Sequence, residues 1–185
     1  MRVLGIDPSF RNTGLAFGFL DVETNRLEVM DLALLKTEVT KAKQVRRNSD
    51  DLRCAGELAA ALFAACKGFQ PDLVVAEVPS GTQSSRASWT LGITLGILAT
   101  LRLSYNPLIE VAPQAVKRYF AGSKTANKRT MIDTAYTRYP HLPWLTQGSR
   151  LMNDNEHLAD AVAILAYGLT TPEAQDVISV YRRAA

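Results

Sequence analysis

Apolar runs along this chain are short and end abruptly on polar residues. Val3-Leu4-Gly5-Ile6 closes on Asp7, with Pro8 and Ser9 directly behind it, so Arg2 to Asp7 reads as a first strand. Gly14 to Leu20 predicts a second strand and Leu27 to Leu35 a third, with Asp21 to Asn25 as the hairpin connection. Lys43 to Lys67 has helical composition, and Leu52, Leu58, Ala59, Leu62 and Phe63 supply its apolar stripe. Pro71-Asp72 breaks the chain before Leu73-Val74-Val75-Ala76-Glu77, a near-continuous apolar run expected of a strand covered on both faces. Ser84 to Ser104 predicts a long helix in which Gly92 and Gly96 leave room for another element to come close. Leu108 to Val111 follows as a short fifth strand, and Pro113 can open a further helix. Another helix is expected from about Ala126 to Tyr139, then a loop over Pro140 to Gly148. A last long helix runs from Glu156 to Leu169, with Leu158, Val162, Leu165 and Leu169 as its apolar stripe, and a tail helix comes after Pro172. Three strands, then alternating helix and strand, then helices, predict an α/β fold with a mixed five-stranded sheet flanked by helices. No repeat or linker interrupts the pattern, so residues 1–185 are expected to form a single domain.

Composition adds limits. The chain is 47% hydrophobic, which supports a sizeable core and excludes a disordered class. Cys54 and Cys66 fit neither a zinc pattern nor a disulfide scaffold, so reduced thiols and a cytoplasmic location are expected. No signal peptide is visible ahead of the first strand. The strongly apolar stretch Leu91 to Leu101 is short of the roughly 20 residues of a membrane span, so it predicts a core helix and no membrane partner. The net charge of +3 is mild, but its distribution is informative. Between Val111 and Ile132 there is no acid, while Lys117, Arg118, Lys124, Lys128 and Arg129 are all basic. Such a run is either a solvated helix face or a phosphate-binding surface. A second basic group, Lys36, Lys41, Lys43, Arg46, Arg47 and Arg53, is diluted by Glu38, Asp50 and Asp51.

The candidate chemistry lies in the acids. Asp7 and Glu77 each end an apolar strand. If the first and fourth strands are parallel neighbours, both carboxylates emerge at one end of the sheet, where ligand sites of open α/β sheets gather. His157 and Asp160, three apart in "NDNEHLADAVAIL", share a helix face. Oxygen and nitrogen donors without a thiolate suit Mg²⁺ or Mn²⁺, and a two-ion site would suit phosphodiester hydrolysis. Each residue also has a plainer reading. Asp7 is a common turn residue, Asp160 a surface acid, and His157 a first-turn residue. Asn153 and Glu156 are spaced as a capping box.

The segments "GIDPSFRNTGLAF", "LVVAEVP", "SWTLGITLGIL", "VAPQAVKRYFAGSKTANK" and "HLADAVAIL" occur in that order. Together they resemble the RuvC-type Holliday junction resolvases of the ribonuclease H-like superfamily, phage-type members included, over Met1 to about Gly168. The resemblance implies a metal-dependent endonuclease that resolves four-way DNA junctions by symmetric paired nicks, leaving 5′-phosphate ends and acting as a homodimer. It also implies a site of Asp7, Glu77, His157 and Asp160 holding two Mg²⁺ or Mn²⁺ ions. Lys117 and Lys128 would contact the DNA backbone, with Arg118, Lys124 and Arg129 beside them. Where the family often carries an aromatic residue that pushes into the junction, this chain has Ser80, which leaves open a less selective fork or flap nuclease. A non-catalytic junction-binding protein is a further alternative, although no metal acid is missing. An actin-like or sugar-kinase-like ATPase would need a duplicated domain and a second glycine-rich phosphate loop. "AGSKT" lacks the spacing for one.

Overall fold

The structure, a computed structural model, describes residues 1–79, 81–82, 84–105 and 107–184. Strands β1 (Arg2–Asp7), β2 (Asn12–Asp21) and β3 (Arg26–Lys36) open the chain as an antiparallel meander. Helix α1 (Arg47–Phe69), β4 (Leu73–Glu77), α2 (Ser85–Ser104) and β5 (Leu108–Val111) then alternate. The five strands form one sheet in the order β3-β2-β1-β4-β5, with β1, β4 and β5 parallel. Gly5 pairs with Val75 and Ile6 with Ala76, so the next residues, Asp7 and Glu77, leave the sheet side by side at one end.

Helices α3 (Pro113–Ala121), α4 (Lys128–Arg138), α5 (Asn155–Gly168) and α6 (Pro172–Ala184) complete the chain. Both central strands are buried on each side, as their unbroken apolar sequence requires. One face of the sheet packs against α5, which is itself covered by α3, α4 and α6. Val3, Val75, Phe120, Met131, Leu158, Val162, Leu165 and Ile178 share that core. The other face carries α1 and α2, with Leu4, Ile6, Leu62, Val74, Leu98 and Leu101 in contact.

Several boundaries differ from the sequence expectation. Helix α1 starts at Arg47 rather than Lys43, because the chain before it is tied elsewhere: the Thr40 N–H donates to Asp50 and Thr37 is bonded to Phe10 and Arg11. Its buried stripe is Cys54, Leu58, Leu62 and Cys66, whereas Leu52 points out and is 75% exposed. The two cysteines are thus core residues with free thiols. The expected loop after Pro140 contains a small hairpin, β6 (Thr146–Gln147) with β7 (Arg150–Leu151), turning at Gly148 with a positive φ of 62°.

Helix α2 departs furthest. It is not a core helix: only Thr94, Leu98 and Leu101 are buried. Among the described residues it is also the one helix long and apolar enough to cross a membrane by length and composition. Arg86 near its start and Arg102 near its end are both ion-paired within the fold, to Asp51 and Glu110. A Cβ at Gly92 or Gly96 would meet nothing within 4 Å, so no element of this chain uses the room those glycines leave.

Candidate active site

Two glycines let α5 descend onto the sheet where Asp7 ends β1. Gly14 pairs across from Asp7 on β2, and a Cβ there would sit 2.5 Å from the His157 carbonyl carbon, overlapping its oxygen. At Gly5 a Cβ would lie 2.5 Å from the Ala161 carbonyl oxygen and 2.7 Å from Leu165 Cβ. With hydrogen at both positions, the first turns of α5 rest on the backbone of β1 and β2. The start of α5 is fixed from its other side by Asn155. That fully buried amide accepts from the Leu145 N–H (2.9 Å) and donates to the carbonyls of Leu145 (2.8 Å) and Met152 (3.0 Å).

The result brings Asp7, Glu77, His157 and Asp160 into one cluster. His157 Nδ1 donates to Asp7 Oδ2 at 2.8 Å, the tautomer that a carboxylate acceptor requires. Burial drives the Asp7 carboxyl upward from its ordinary value, and the His157 hydrogen bond offsets part of that. Glu77 is pushed up to about 8, first by burial and then by the charges of Asp7 and Asp160. Asp160 rises to about 7, again by burial first and then by Asp7. Burial opposes a charge on His157, but the bond to Asp7 together with the charges of Asp7, Glu156 and Asp160 outweighs it and its pKa is raised. Lys117 is half-buried and lowers the cost of all three acids.

The cluster is therefore overcharged and undersatisfied. Asp160 Oδ1 is buried with no hydrogen-bond partner, an orphaned oxygen that a proton or a cation would satisfy. A hard divalent ion fits this donor set of carboxylates and one imidazole. Among the described residues, no three of these donors are drawn together closely enough to form a finished cage.

Glu156 also belongs to this neighbourhood. It makes no capping box: the N-cap of α5 is Asp154, and Asn153 contributes only its backbone carbonyl to the Glu156 N–H. The Glu156 carboxylate instead lies 2.7 Å from Lys128 Nζ and 3.4 Å from His157 Nε2. Asp154 is paired with Lys36 at the end of β3 (2.5 Å). An acid placed directly before His157 was the signal available in the sequence, but the capping pattern concealed it.

Of the basic residues between Val111 and Ile132, Arg118 and Lys124 are exposed on α3 and the loop behind it. Lys128 is paired with Glu156 and Arg129 with Asp133 (2.9 Å), two acids outside the acid-free stretch. Ser80 lies outside the described residues.

A mixed sheet in this order, with acids at the ends of its two central parallel strands and helices on both faces, defines the ribonuclease H-like class of folds. No family model matches the chain. It is 32% identical over 168 residues to the crossover junction endodeoxyribonuclease RuvC of Anaeromyxobacter dehalogenans, covering 90% of this chain and 81% of that protein. To the RuvC of Chloroflexus aggregans it is 28% identical over 177 residues, covering 95% and 97%. Among solved structures, Thermus thermophilus RuvC in complex with Holliday junction substrate matches with a TM-score of 0.64 at 22% identity, covering 90% of this chain and 93% of that one. The yeast mitochondrial Holliday junction resolvase Ydc2 matches at 0.61 and 18% identity, covering 99% and 82%. The chain belongs to the RuvC family of crossover junction endodeoxyribonucleases.

Proposed function

We propose that residues 1–185 form one nuclease domain that cleaves branched DNA in the cytoplasm, resolving four-way junctions by paired nicks that leave 5′-phosphate ends. The observation that carries this reading is the cluster of buried Asp7 with half-buried Glu77, His157 and Asp160 and its unpartnered Asp160 oxygen.

Asp7, Glu77, Asp160 and His157 would hold two Mg²⁺ or Mn²⁺ ions. Such ions, when bound, supply Lewis-acid polarisation of the scissile phosphate and neutralise the crowded carboxylates. Asp7, the most buried of the acids, would be among the residues that hold them. His157, released from its bond to Asp7, orients the attacking water or accepts its proton. Lys117, whose charge favours the ionised form of these acids, would contact the phosphate held beside them. Arg118, Lys124, Lys128 and Arg129 hold the backbone of one junction arm, contributing affinity and register while branch shape sets selectivity.

Paired cuts require two sites related by symmetry, and a homodimer provides them. The free face of α2 supports it. Trp89 (51% exposed), Gly92, Gly96, Thr100 and Leu103 (88% exposed) line the side opposite Thr94, Leu98 and Leu101. Two copies of this helix could cross closely at the glycines.

The test incubates wild-type protein and Asp7→Asn with labelled four-way junction, Y-fork and linear duplex, with and without Mg²⁺. Symmetric paired cuts in the junction alone, absent in the variant, are expected. Equal cutting of the fork would mean a general branch nuclease. Tight binding without cutting in either metal would leave a junction-binding protein.

A further inference from the structure

The acids that dilute the second basic group in the sequence turn inward. Asp50 is buried and accepts from Arg53 (2.6 Å) and from the Thr40 N–H (3.0 Å). Asp51, with 2% of its side chain exposed, takes both arms of Arg86 at 2.5 Å and lies 3.3 Å from Arg11. These carboxylates, and Arg53 with them, are spent on partners inside the fold. Lys41, Lys43, Arg46 and Arg47 are all exposed. Among the described residues, none of the four has an ion-pair or side-chain hydrogen-bond partner. Only Glu38 remains exposed beside them, so the outward surface of residues 38–47 carries a net excess of positive charge.

The segment is anchored next to the acid cluster. The Thr37 N–H donates to the Arg11 carbonyl (3.0 Å) and the Thr37 hydroxyl to the Phe10 carbonyl (2.8 Å), in the loop that directly follows Asp7. The chain then turns through Ala42–Val45 and enters α1, on the α1–α2 face of the sheet. Lys117 to Arg129 lie on the opposite, α5 face. Cations therefore flank the same sheet edge from both sides.

A cavity of about 190 Å³ beside the segment is lined by Arg11, Arg47 and Arg86 with Asp50 and Asp51; Arg11 and Arg86 are already paired with Asp51, so Arg47 alone has charge to spare there. Arg47 stands at the rim of this cavity, while Lys41, Lys43 and Arg46 lie outside it on an exposed surface, a spread of charge that suits an extended polyanion. We infer that Lys41, Lys43, Arg46 and Arg47 form a second backbone contact, holding a duplex arm on the side of the sheet edge opposite Lys117–Arg129. This rests on the branched-DNA reading above.

The test compares wild type with the fourfold variant Lys41→Ala/Lys43→Ala/Arg46→Ala/Arg47→Ala. Binding to a labelled four-way junction is followed by fluorescence anisotropy in Ca²⁺ at salt concentrations spanning a fourfold range, with unchanged thermal midpoints as the folding control. Neutralising about three phosphates at a slope of about 0.9 each means that wild type loses roughly 40-fold more affinity than the variant over that range. The difference should shrink on a junction whose arms are trimmed short. Parallel salt curves for the two proteins, or a difference insensitive to arm length, would overturn the arm contact. A wild type that binds no branched DNA at all would instead overturn the reading on which it rests.

Discussion

The substitution Gly14→Ala tests whether the active site depends on how closely α5 approaches the sheet. The new Cβ would stand 2.5 Å from the His157 carbonyl carbon, and that neighbour is backbone, which cannot rotate away. Ordinary carbon contacts need about 3.5 Å, so the first turn of α5 must retreat by about 1 Å. His157 rides on that turn and Asp160 on the next, while Asp7 stays fixed in β1. A misplacement of about 1 Å costs on the order of 100-fold in rate, and overpacking costs about 1–3 kcal/mol of stability. For a chain of this size that corresponds to a fall of roughly 3–10 °C in melting midpoint. The assay pairs thermal denaturation with junction nicking at saturating Mg²⁺. The control is Gly56→Ala on α1, whose Cβ would meet nothing within 4 Å and should stabilise by about 0.5–1 kcal/mol. A Gly14→Ala protein that melts and cuts like wild type would refute the claim that the glycine exists to seat α5.

Further predictions concern charge and assembly. Glu77 and Asp160 have folded pKa values, about 8 and about 7, above their ordinary values of 4.5 and 3.8. The unfolded chain sheds these protons first, so the metal-free protein should lose stability as pH rises from about 5 to 8. Mg²⁺ should then raise the melting midpoint more at pH 8 than at pH 6; a flat profile in chelator would contradict the crowding. Glu77→Gln should abolish nicking yet raise the metal-free midpoint at pH 8, read by calorimetry. Asp51→Ala leaves Arg11 and Arg86 facing each other without their shared acid, and urea denaturation should show a loss of about 2 kcal/mol or more. Leu103→Glu, on the free face of α2, should give a folded monomer by sedimentation and abolish paired cutting. A persistent dimer would move the interface elsewhere.

Much of this fold could be read from the sequence because its strands are unambiguous. Leu73–Glu77 is uniformly apolar before its acid, and Pro113 and Pro172 mark helix starts. The placement of Asp7 beside Glu77 follows from β1 and β4 being parallel neighbours. What escaped depended on side-chain partners distant in sequence. Asp50 and Asp51 look like surface acids in a charged run, and only the fold shows them accepting from Thr40, Arg53, Arg11 and Arg86. Leu52 sits at a position that helical periodicity alone cannot distinguish from the buried side, since the true stripe runs through Cys54 and Cys66. Glu156 matched a capping pattern whose geometry the chain does not adopt, because Lys128 and His157 compete for the carboxylate. Helix α2 reads as core by hydropathy, and only the fold shows that, among the described residues, nothing packs on the side opposite Thr94, Leu98 and Leu101.

Helix α5 carries two of the four site residues and touches every strand of the sheet as well as α3 and α4. Nine of its residues are buried, so no part of it can detach without dismantling the core. Local opening around His157 and Asp160 is thereby forced to coincide with global unfolding. Backbone amides of Leu158 to Leu165 should exchange with deuterium only at the limit set by complete denaturation, while those in the exposed half of α2 exchange far sooner. Heating should therefore leave no warm, folded, inactive intermediate. The capacity to cut and the cooperative fold should disappear at the same temperature.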